Sequence, residues 1–379
     1  MTRFRAPILA VALLLLSTAA GSTVALLGPC ADGAAPPVAP YRQDVTQTAA
    51  SILWRSAAEG DVTLRYGEDP DLTAQIESGH GPEHAVRLTG LRPDTPYAYA
   101  VDAPGGEIDG TFRTAPGPDA TVTAAVLGDS GVGGPNQRRM ARVLLSLAPR
   151  FVLHTGDVVY PRGDACHYPD RFFDPYAPLL ASTPLYPSLG NHDLRAAGAA
   201  AYFAAFALPA NNPDRSESYY SFDYGPAHVV ALDGELYHPG KPAAAARQKA
   251  WLEADLAANR LPWTIVFFHR PPFTTSPAHA PDAAIRDDLA PLFAAAGVDL
   301  VLSGHVHAYE RFHPIDGVTY VVTGGGGARL YPVRPDASTA HAASVHHVLK
   351  LTIAPAHLSL EAVGRDGVVF DRLDLNEPR

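Results

Sequence analysis

Cysteine is scarce in this sequence, with only Cys30 and Cys166 in 379 residues. Two thiols cannot build the knot of sulfurs that holds a structural zinc module. They allow at most one disulfide, in an oxidising compartment, and sequence alone does not supply the geometry that pairing requires. Positive charge is scarce as well: 29 Lys and Arg stand against 39 Asp and Glu, a formal net charge of −10. That excludes nucleic acid as a standing partner, because a phosphate backbone rewards an excess of Lys and Arg. An anionic substrate would have to be drawn in locally, by metal ions or a few placed cations. There is no internal repeat. The one four-glycine run, Gly324 to Gly327, is followed by neither Lys-Ser/Thr nor an opening helix, so it reads as a tight loop rather than a phosphate cradle.

What is present is an ordinary globular balance, 47% hydrophobic and 18% charged, in a length that suits two or three domains. The 36 prolines and 32 glycines point to many turns, as in sheet-rich proteins. Arg3 and Arg5 precede an uncharged stretch from Ala6 to Pro29, the layout of an export signal. Small residues at Ala19, Ala20 and Gly21 offer a cleavage site, and the stretch is also long enough to remain as an uncleaved anchor. Residues 1–29 are therefore expected to be a signal peptide or N-terminal anchor. Either way the bulk of the chain is expected outside the cytoplasm, secreted, periplasmic or at the cell surface, and held to a membrane only if the segment is uncleaved.

Residues 30–39, rich in Pro and Ala, read as a linker. Over residues 40–116, short runs with partial alternation (Ala50 to Trp54, Val62 to Tyr66, His84 to Leu88, Tyr97 to Val101) predict a small β domain. Thr111 to Pro118 reads as a linker, and from residue 119 the pattern changes. Buried-strand runs at Val122 to Leu127, Phe151 to His154, Trp263 to Phe268 and Val298 to Leu302 alternate with helical patterns at Arg138 to Leu147, Arg247 to Ala258 and Ala283 to Ala296. Such alternation predicts an α/β layered domain, closed by further strands after Val318.

Five polar clusters each follow an apolar run: Gly128-Asp129-Ser130-Gly131, Gly156-Asp157-Val158-Val159-Tyr160, Gly190-Asn191-His192-Asp193, His269-Arg270-Pro271-Pro272 and Gly304-His305-Val306-His307. In α/β sheets ligands bind beyond the carboxyl ends of strands. The oxygen and imidazole donors on offer suit Fe, Zn or Mn. Singly, each cluster has a plain alternative: Asp129 as a helix cap, Gly190-Asn191 as a turn, His269 as a packed histidine. The His-x-His pair aims both rings one way if its backbone stays extended.

The order and content of these clusters resemble the purple acid phosphatases of the calcineurin-like metallophosphoesterase superfamily, over most of the chain. The extension His307-Ala308-Tyr309-Glu310-Arg311 matches as well. The resemblance implies an α/β (α+β) chain: an N-terminal β-sandwich, then a four-layer αββα metallophosphoesterase domain spanning 119–379. The Leu91 to Tyr97 corner and Trp54 resemble those of fibronectin III domains, the alternative being another small β-sandwich. By the resemblance to the phosphatases, Asp129, Tyr160 and His307 hold a first metal, expected to be Fe(III). Asn191, His269 and His305 hold a second, divalent Fe, Zn or Mn, and Asp157 bridges the two. Asp193 departs from the Glu that plant and animal members tend to carry. The implied activity is hydrolysis of small phosphate monoesters by a metal-held hydroxide; a phosphodiesterase or nucleotidase uses the same clamp, although Tyr160 favours the purple acid branch. A surface binding module with an inert catalytic domain is the reading from another class, and the seven filled ligand positions speak against it. Elementary chemistry agrees: a bridging carboxylate offsets the repulsion of two cations about 3.5–4 Å apart, and hard anionic oxygens suit the trivalent ion. His192 is placed to touch the phosphoryl group or leaving oxygen. His279 is either a second such contact or an exposed loop histidine. Arg270 has two readings, a substrate contact or a structural salt bridge, and Tyr309, Glu310 and Arg311 are expected to support the ligands from behind.

Overall fold

A computed structural model describes residues 36–378 except 69, 104, 105, 238–240 and 377. The export segment and Cys30 lie outside the described residues, while Cys166 takes part in a disulfide. Among the described residues no helix is long and apolar enough to cross a membrane.

Seven strands form the first unit: β1 (Val38–Gln43), β2 (Ala49–Arg55), β3 (Thr63–Glu68), β4 (Ala74–Glu77), β5 (Glu83–Thr89), β6 (Pro96–Ala103) and β7 (Gly106–Arg113). They make a three-stranded sheet, β1-β2-β5, and a four-stranded one, β4-β3-β6-β7. Strand β5 shows why they pack. His84, Val86 and Leu88 are buried while Ala85, Arg87 and Thr89 face solvent, the period of two that a half-buried strand requires. Trp54 stacks on His84 in the core at 4.7 Å. The Tyr97 hydroxyl accepts the Arg92 amide at 2.9 Å, so the Leu91–Tyr97 corner is locked by its own tyrosine. Strand β1 begins inside the stretch read as a linker, and β7 runs to Arg113, into the Thr111–Pro118 stretch read the same way. Pro40 hid β1, but β1 is an edge strand, where a missing N–H is tolerated.

The second unit has two larger sheets. The six-stranded sheet has the order β10-β9-β8-β18-β19-β20, with β8 Val122–Leu127, β9 Phe151–His154, β10 Leu185–Pro187, β18 His347–Ala354, β19 His357–Gly364 and β20 Val369–Leu375. The seven-stranded sheet has the order β11-β12-β13-β14-β16-β15-β17, with β11 Tyr220–Tyr224, β12 Ala227–Ala231, β13 Trp263–Phe268, β14 Leu300–Ser303, β15 Tyr309–Phe312, β16 Thr319–Thr323 and β17 Thr339–Ala343. In β13, Trp263, Ile265 and Phe267 join the core shared with the six-stranded sheet. Val266 and Phe268 point the other way, onto α4 (Pro242–Ala258) and α5 (Ala283–Ala295). On the far side α1 (Pro135–Ser146) packs beside α2 (Asp174–Leu180) and reaches β18; a short α3 (Ala200–Ala205) completes the helices. Two sheets face each other between helices, giving the four layers.

Helices α1 and α4 start three and five residues before the expected Arg138 and Arg247, each opened by a proline whose fixed φ suits a first turn. Strand β14 starts at Leu300, not Val298, because the Val298 amide closes α5 by bonding the Phe293 carbonyl at 2.9 Å. Strands β8, β9 and β10 run parallel, as do β12, β13, β14 and β16. Their carboxyl ends carry all five polar clusters.

On the outer face of β12, His228 sits between Asp223 (2.7 Å) and Asp255 (2.9 Å). Burial pulls its pKa down, but the two carboxylates outweigh burial and lift it to about 9. A raised histidine stabilises the fold fully below its ordinary pKa, near 6.5, and loses that contribution as pH rises through the folded value. Denaturant melts of wild type and His228→Gln should differ by roughly 2–3 kcal/mol at mildly acid pH, the gap closing by about pH 9. A gap constant across that window would show that His228 is not charged in this cluster.

Candidate metal centre

Asp129 follows β8, Asp157 follows β9, Asn191 follows β10, His269 follows β13, and His305 and His307 follow β14. Asp129, Asp157 and His305 take left-handed backbone angles, with φ of 56°, 54° and 66°. Such angles strain non-glycine residues and persist only where the surroundings impose them. Here they turn the chain sharply off each strand and aim the side chains into one space. Asp129 does not cap α1, whose N-cap is Gly134. Close approach explains two glycines: a Cβ on Gly190 would sit 2.3 Å from Asp157 Oδ1, and one on Gly304 would sit 2.6 Å from Asp129 Oδ2.

All seven expected donors converge. Asp129, Asp157 and His269, all buried, offer ligand atoms within 4.8 Å of one another. The Tyr160 hydroxyl lies 3.0 Å from Asp129 Oδ1 and 2.9 Å from His307 Nε2, and His307 Nε2 is 3.3 Å from the same carboxylate oxygen. His269 Nε2 lies 3.4 Å from Asp157 Oδ2, 3.1 Å from Asn191 Oδ1 and 3.2 Å from His305 Nδ1. Two rings are set from behind by carbonyls: Thr155 O accepts from His269 Nδ1 (2.9 Å) and Arg329 O from His307 Nδ1 (2.7 Å), leaving each Nε2 to face the site. His192 Nδ1 donates to Pro161 O at 2.6 Å, so its Nε2 points at the cluster, 3.9 Å from Asp157 Oδ2. The His279 ring packs 4.2 Å from His305, at the mouth of the site rather than free in solvent.

The electrostatics show buried carboxylates drawing positive charge from the imidazoles around them. For Asp157, burial pushes the pKa up, but His269 and then His192 outweigh it and hold the carboxyl well below its usual range. Burial pulls His269 down, yet Asp157 and Asp129 lift it to about 10. His305 goes the opposite way, pushed far down by burial, His269 and Arg270, so it offers a neutral ring. Tyr160 is pushed well above its ordinary value by burial and then by the two carboxylates. Buried carboxylates, neutral imidazole, amide and phenol form a donor set that fits hard and borderline cations.

Arg270 makes the structural salt bridge, and its Nη1 also faces the site, 3.4 Å from His305 Nε2. Its Nε and Nη2 bind both oxygens of buried Glu235 at 2.6 and 3.2 Å. Glu310 accepts the Thr275 amide at 2.7 Å and the Thr274 hydroxyl at 2.5 Å, while Tyr309 and Arg311 both bind Asp371. The glycine run packs beneath the site, Gly326 N bonding Gly128 O at 3.0 Å. Sequence reasoning missed Tyr331, which stacks on His307 at 4.3 Å, and the two carbonyls behind the histidines. No motif marks any of them: one lies 24 positions beyond its partner, and every residue carries a carbonyl.

Residues 122–309 match the family model described as calcineurin-like phosphoesterase. The chain is 30% identical over 290 residues to purple acid phosphatase 15 of Arabidopsis thaliana, covering 65% of this chain and 54% of that protein. It is 34% identical over 256 residues to human acid phosphatase type 7, covering 61% of this chain and 57% of the relative. The chain spans about half the length of the curated relatives it matches. Its fold superposes on the purple acid phosphatase PPD1 from yellow lupin with a TM-score of 0.79 and 22% identity, over 90% of this chain and 74% of that one.

Asp193 ties two of the site loops together. Its carboxylate accepts the amides of Val158 (3.0 Å), Val159 (3.3 Å) and Gly190 (3.0 Å), although burial and then Asp157 raise its pKa to about 7. Asp193→Ala would strand three buried amides and should cost about 3 kcal/mol or more in denaturant melts. Asp193→Asn keeps an acceptor oxygen and should cost less than half of that. Equal losses, or none, would show that the carboxylate does not brace the loops.

Proposed function

We propose that this chain, which carries a calcineurin-like phosphoesterase domain and is a homologue of the purple acid phosphatases, hydrolyses small phosphate monoesters with two metal ions. The observation that carries the reading is the convergence of seven donors from five strand ends, with Asp129, Asp157 and His269 inside one 4.8 Å cluster. Asp129, Tyr160 and His307 would hold the first ion, Fe(III); Asn191, His269 and His305 would hold a divalent Fe, Zn or Mn. Asp157 reaches a member of each set and is assigned as the bridge. When bound, the two ions supply the Lewis acidity that activates water and offsets charge on the phosphoryl group. His192, held by Pro161 O, directs Nε2 at the position of the phosphoryl or leaving oxygen. His279, packed on His305, is a second such contact in this reading. In the same reading, residues 1–29 export the chain, residues 40–116 form a fibronectin III-like domain and residues 119–379 form the catalytic one.

A metal analysis with a substrate panel tests this. Turnover of a simple aryl phosphate should vanish with chelator and exceed that of the corresponding diester. Asp157→Asn removes the charge that lets two cations sit together. It should cost more metal and activity than Asn191→Ala, and more than the roughly 10–100-fold loss typical of removing a partner behind a ligand. Retention of both ions and near-normal turnover by Asp157→Asn would sink the allocation.

Tyr160 supplies a readout independent of turnover. Its phenol is held far above its ordinary value, so only a strongly polarising cation displaces the proton. A phenolate on Fe(III) absorbs visible light. Purified protein should be violet to pink and most active below neutrality, and Tyr160→Phe should bleach it without lowering its melting temperature. Colourless, iron-free wild type with an alkaline optimum would remove Fe(III) and leave the phosphoesterase reading intact.

A further inference from the structure

One face of the molecule, behind the loop whose Arg329 carbonyl holds His307, combines two features that the proposed hydrolysis does not use. Helix α1 turns Arg138, Arg139 and Arg142 to solvent, neighbours on its surface by their i, i+3 and i, i+4 spacing. Arg139 Nε donates to the carbonyl of Arg365 at 2.6 Å, which joins the helix to the turn between β19 and β20. Arg365 is exposed too, and among the described residues none of these four guanidinium groups is paired with a carboxylate. Asp366, the acid beside them, is exposed and accepts the Val368 amide at 3.0 Å. The second feature is apolar. Val345 (37% exposed), Val368 (59%) and Val369 (38%) are three of the five large hydrophobic residues that stand in solvent among the described residues. Val345, Val368 and Arg365 line a cavity of about 460 Å³, whose remaining walls mix the apolar Leu330 and Phe370 with the polar His341 and His346.

We infer that this face docks on an anionic phospholipid surface. Charge complementarity selects it. The chain as a whole carries −10, so an anionic bilayer repels most orientations, while four unpaired arginines attract one. Val368 and Val369 sit at the β19–β20 turn and Val345 in the link from β17 to β18, where short apolar side chains enter the headgroup boundary while guanidinium groups hold lipid phosphates. The cavity behind the turn offers apolar walls to part of an acyl chain. A nucleic acid or acidic polypeptide would engage the arginines, but it has no use for the valines or the cavity. Docking here does not depend on the hydrolytic reading.

The test is co-sedimentation of the full chain with vesicles of phosphatidylcholine alone and of phosphatidylcholine mixed with phosphatidylserine. The N-terminal segment, with Arg3 and Arg5, is common to all variants, so the change in anionic-over-neutral preference between wild type and variant isolates this face. Wild type should prefer the anionic vesicles, and added salt should abolish the preference. Arg138→Gln/Arg142→Gln/Arg365→Gln should lose about a hundredfold of that preference, each arginine near such a surface being worth on the order of fivefold. Val368→Ser/Val369→Ser should weaken binding while keeping its salt dependence. Aryl phosphate turnover should stay at the wild-type level in both variants, showing that they are folded. Equal anionic preference in wild type and the triple variant overturns the inference. So does binding to polyglutamate or DNA as tight as to anionic vesicles with the valine variant unimpaired, which would mark the face as a general anion contact.

Discussion

Two carboxylates, Asp129 and Asp157, are buried within reach of each other, and much of the structure answers that constraint. Burying one unpaired carboxylate is costly, and burying two side by side adds mutual repulsion. Among the described residues no lysine pairs with them, and the neighbouring guanidinium of Arg270 is bound through two nitrogens to Glu235. What remains facing them is imidazole, amide, phenol and backbone N–H. The opposed shifts of His269 and His305 follow from this: one ring is drawn toward a proton by the carboxylates, and the next is then denied one by the first. A site so arranged has the donors that suit cations.

The fold holds that arrangement by making its members unable to relax apart. Parallel strands deliver the clusters to one edge, and left-handed angles at Asp129, Asp157 and His305 turn them inward. Amides then fix the carboxylates, with His305 N on Asp129 at 2.9 Å and His192 N on Asp157 at 2.7 Å. Carbonyls fix the rings of His269 and His307 from the opposite side. Asp193 and Glu310 extend the bracing outward, each gathering donors from a separate loop. The chemistry proposed for the site needs this rigidity, because positioning to about 0.5 Å governs what a ligand set can do.

The N-terminal sandwich is bonded to the same core. Tyr41, buried in β1, donates to Ala205 O at 2.9 Å, and the Tyr186 hydroxyl meets both the amide and the carbonyl of Val45. Buried Arg42 reaches Leu180 O at 3.3 Å and lies 4.6 Å over the Tyr99 ring. Val38, Tyr41 and Leu53 belong to the apolar cluster of the large sheets. Edge strand β1 therefore ties its own sheet to the core of the large sheets, which is why a composition typical of linkers folds there as a strand.

Periodicity and punctuation were enough to read most strands. Val122–Leu127, Phe151–His154 and Trp263–Phe268 are legible to the residue, because continuous apolar runs between glycines and polar turns have few other uses. The kinds of donor were legible for the same local reason: Gly-Asp, Gly-Asn-His and Gly-His-x-His each sit at the end of such a run. Pro40 and the Thr111–Arg113 stretch misled, since their strand character comes from partners far along the chain. What the sequence by itself determined is the inventory, namely which side chains the strand ends carry and in what order. Only the tertiary structure decided which atoms meet. Arg270 turns to Glu235, Asp193 reaches back to Val158 and Tyr331 covers His307, because those pairings depend on the separation of loops in space, which no local spacing encodes.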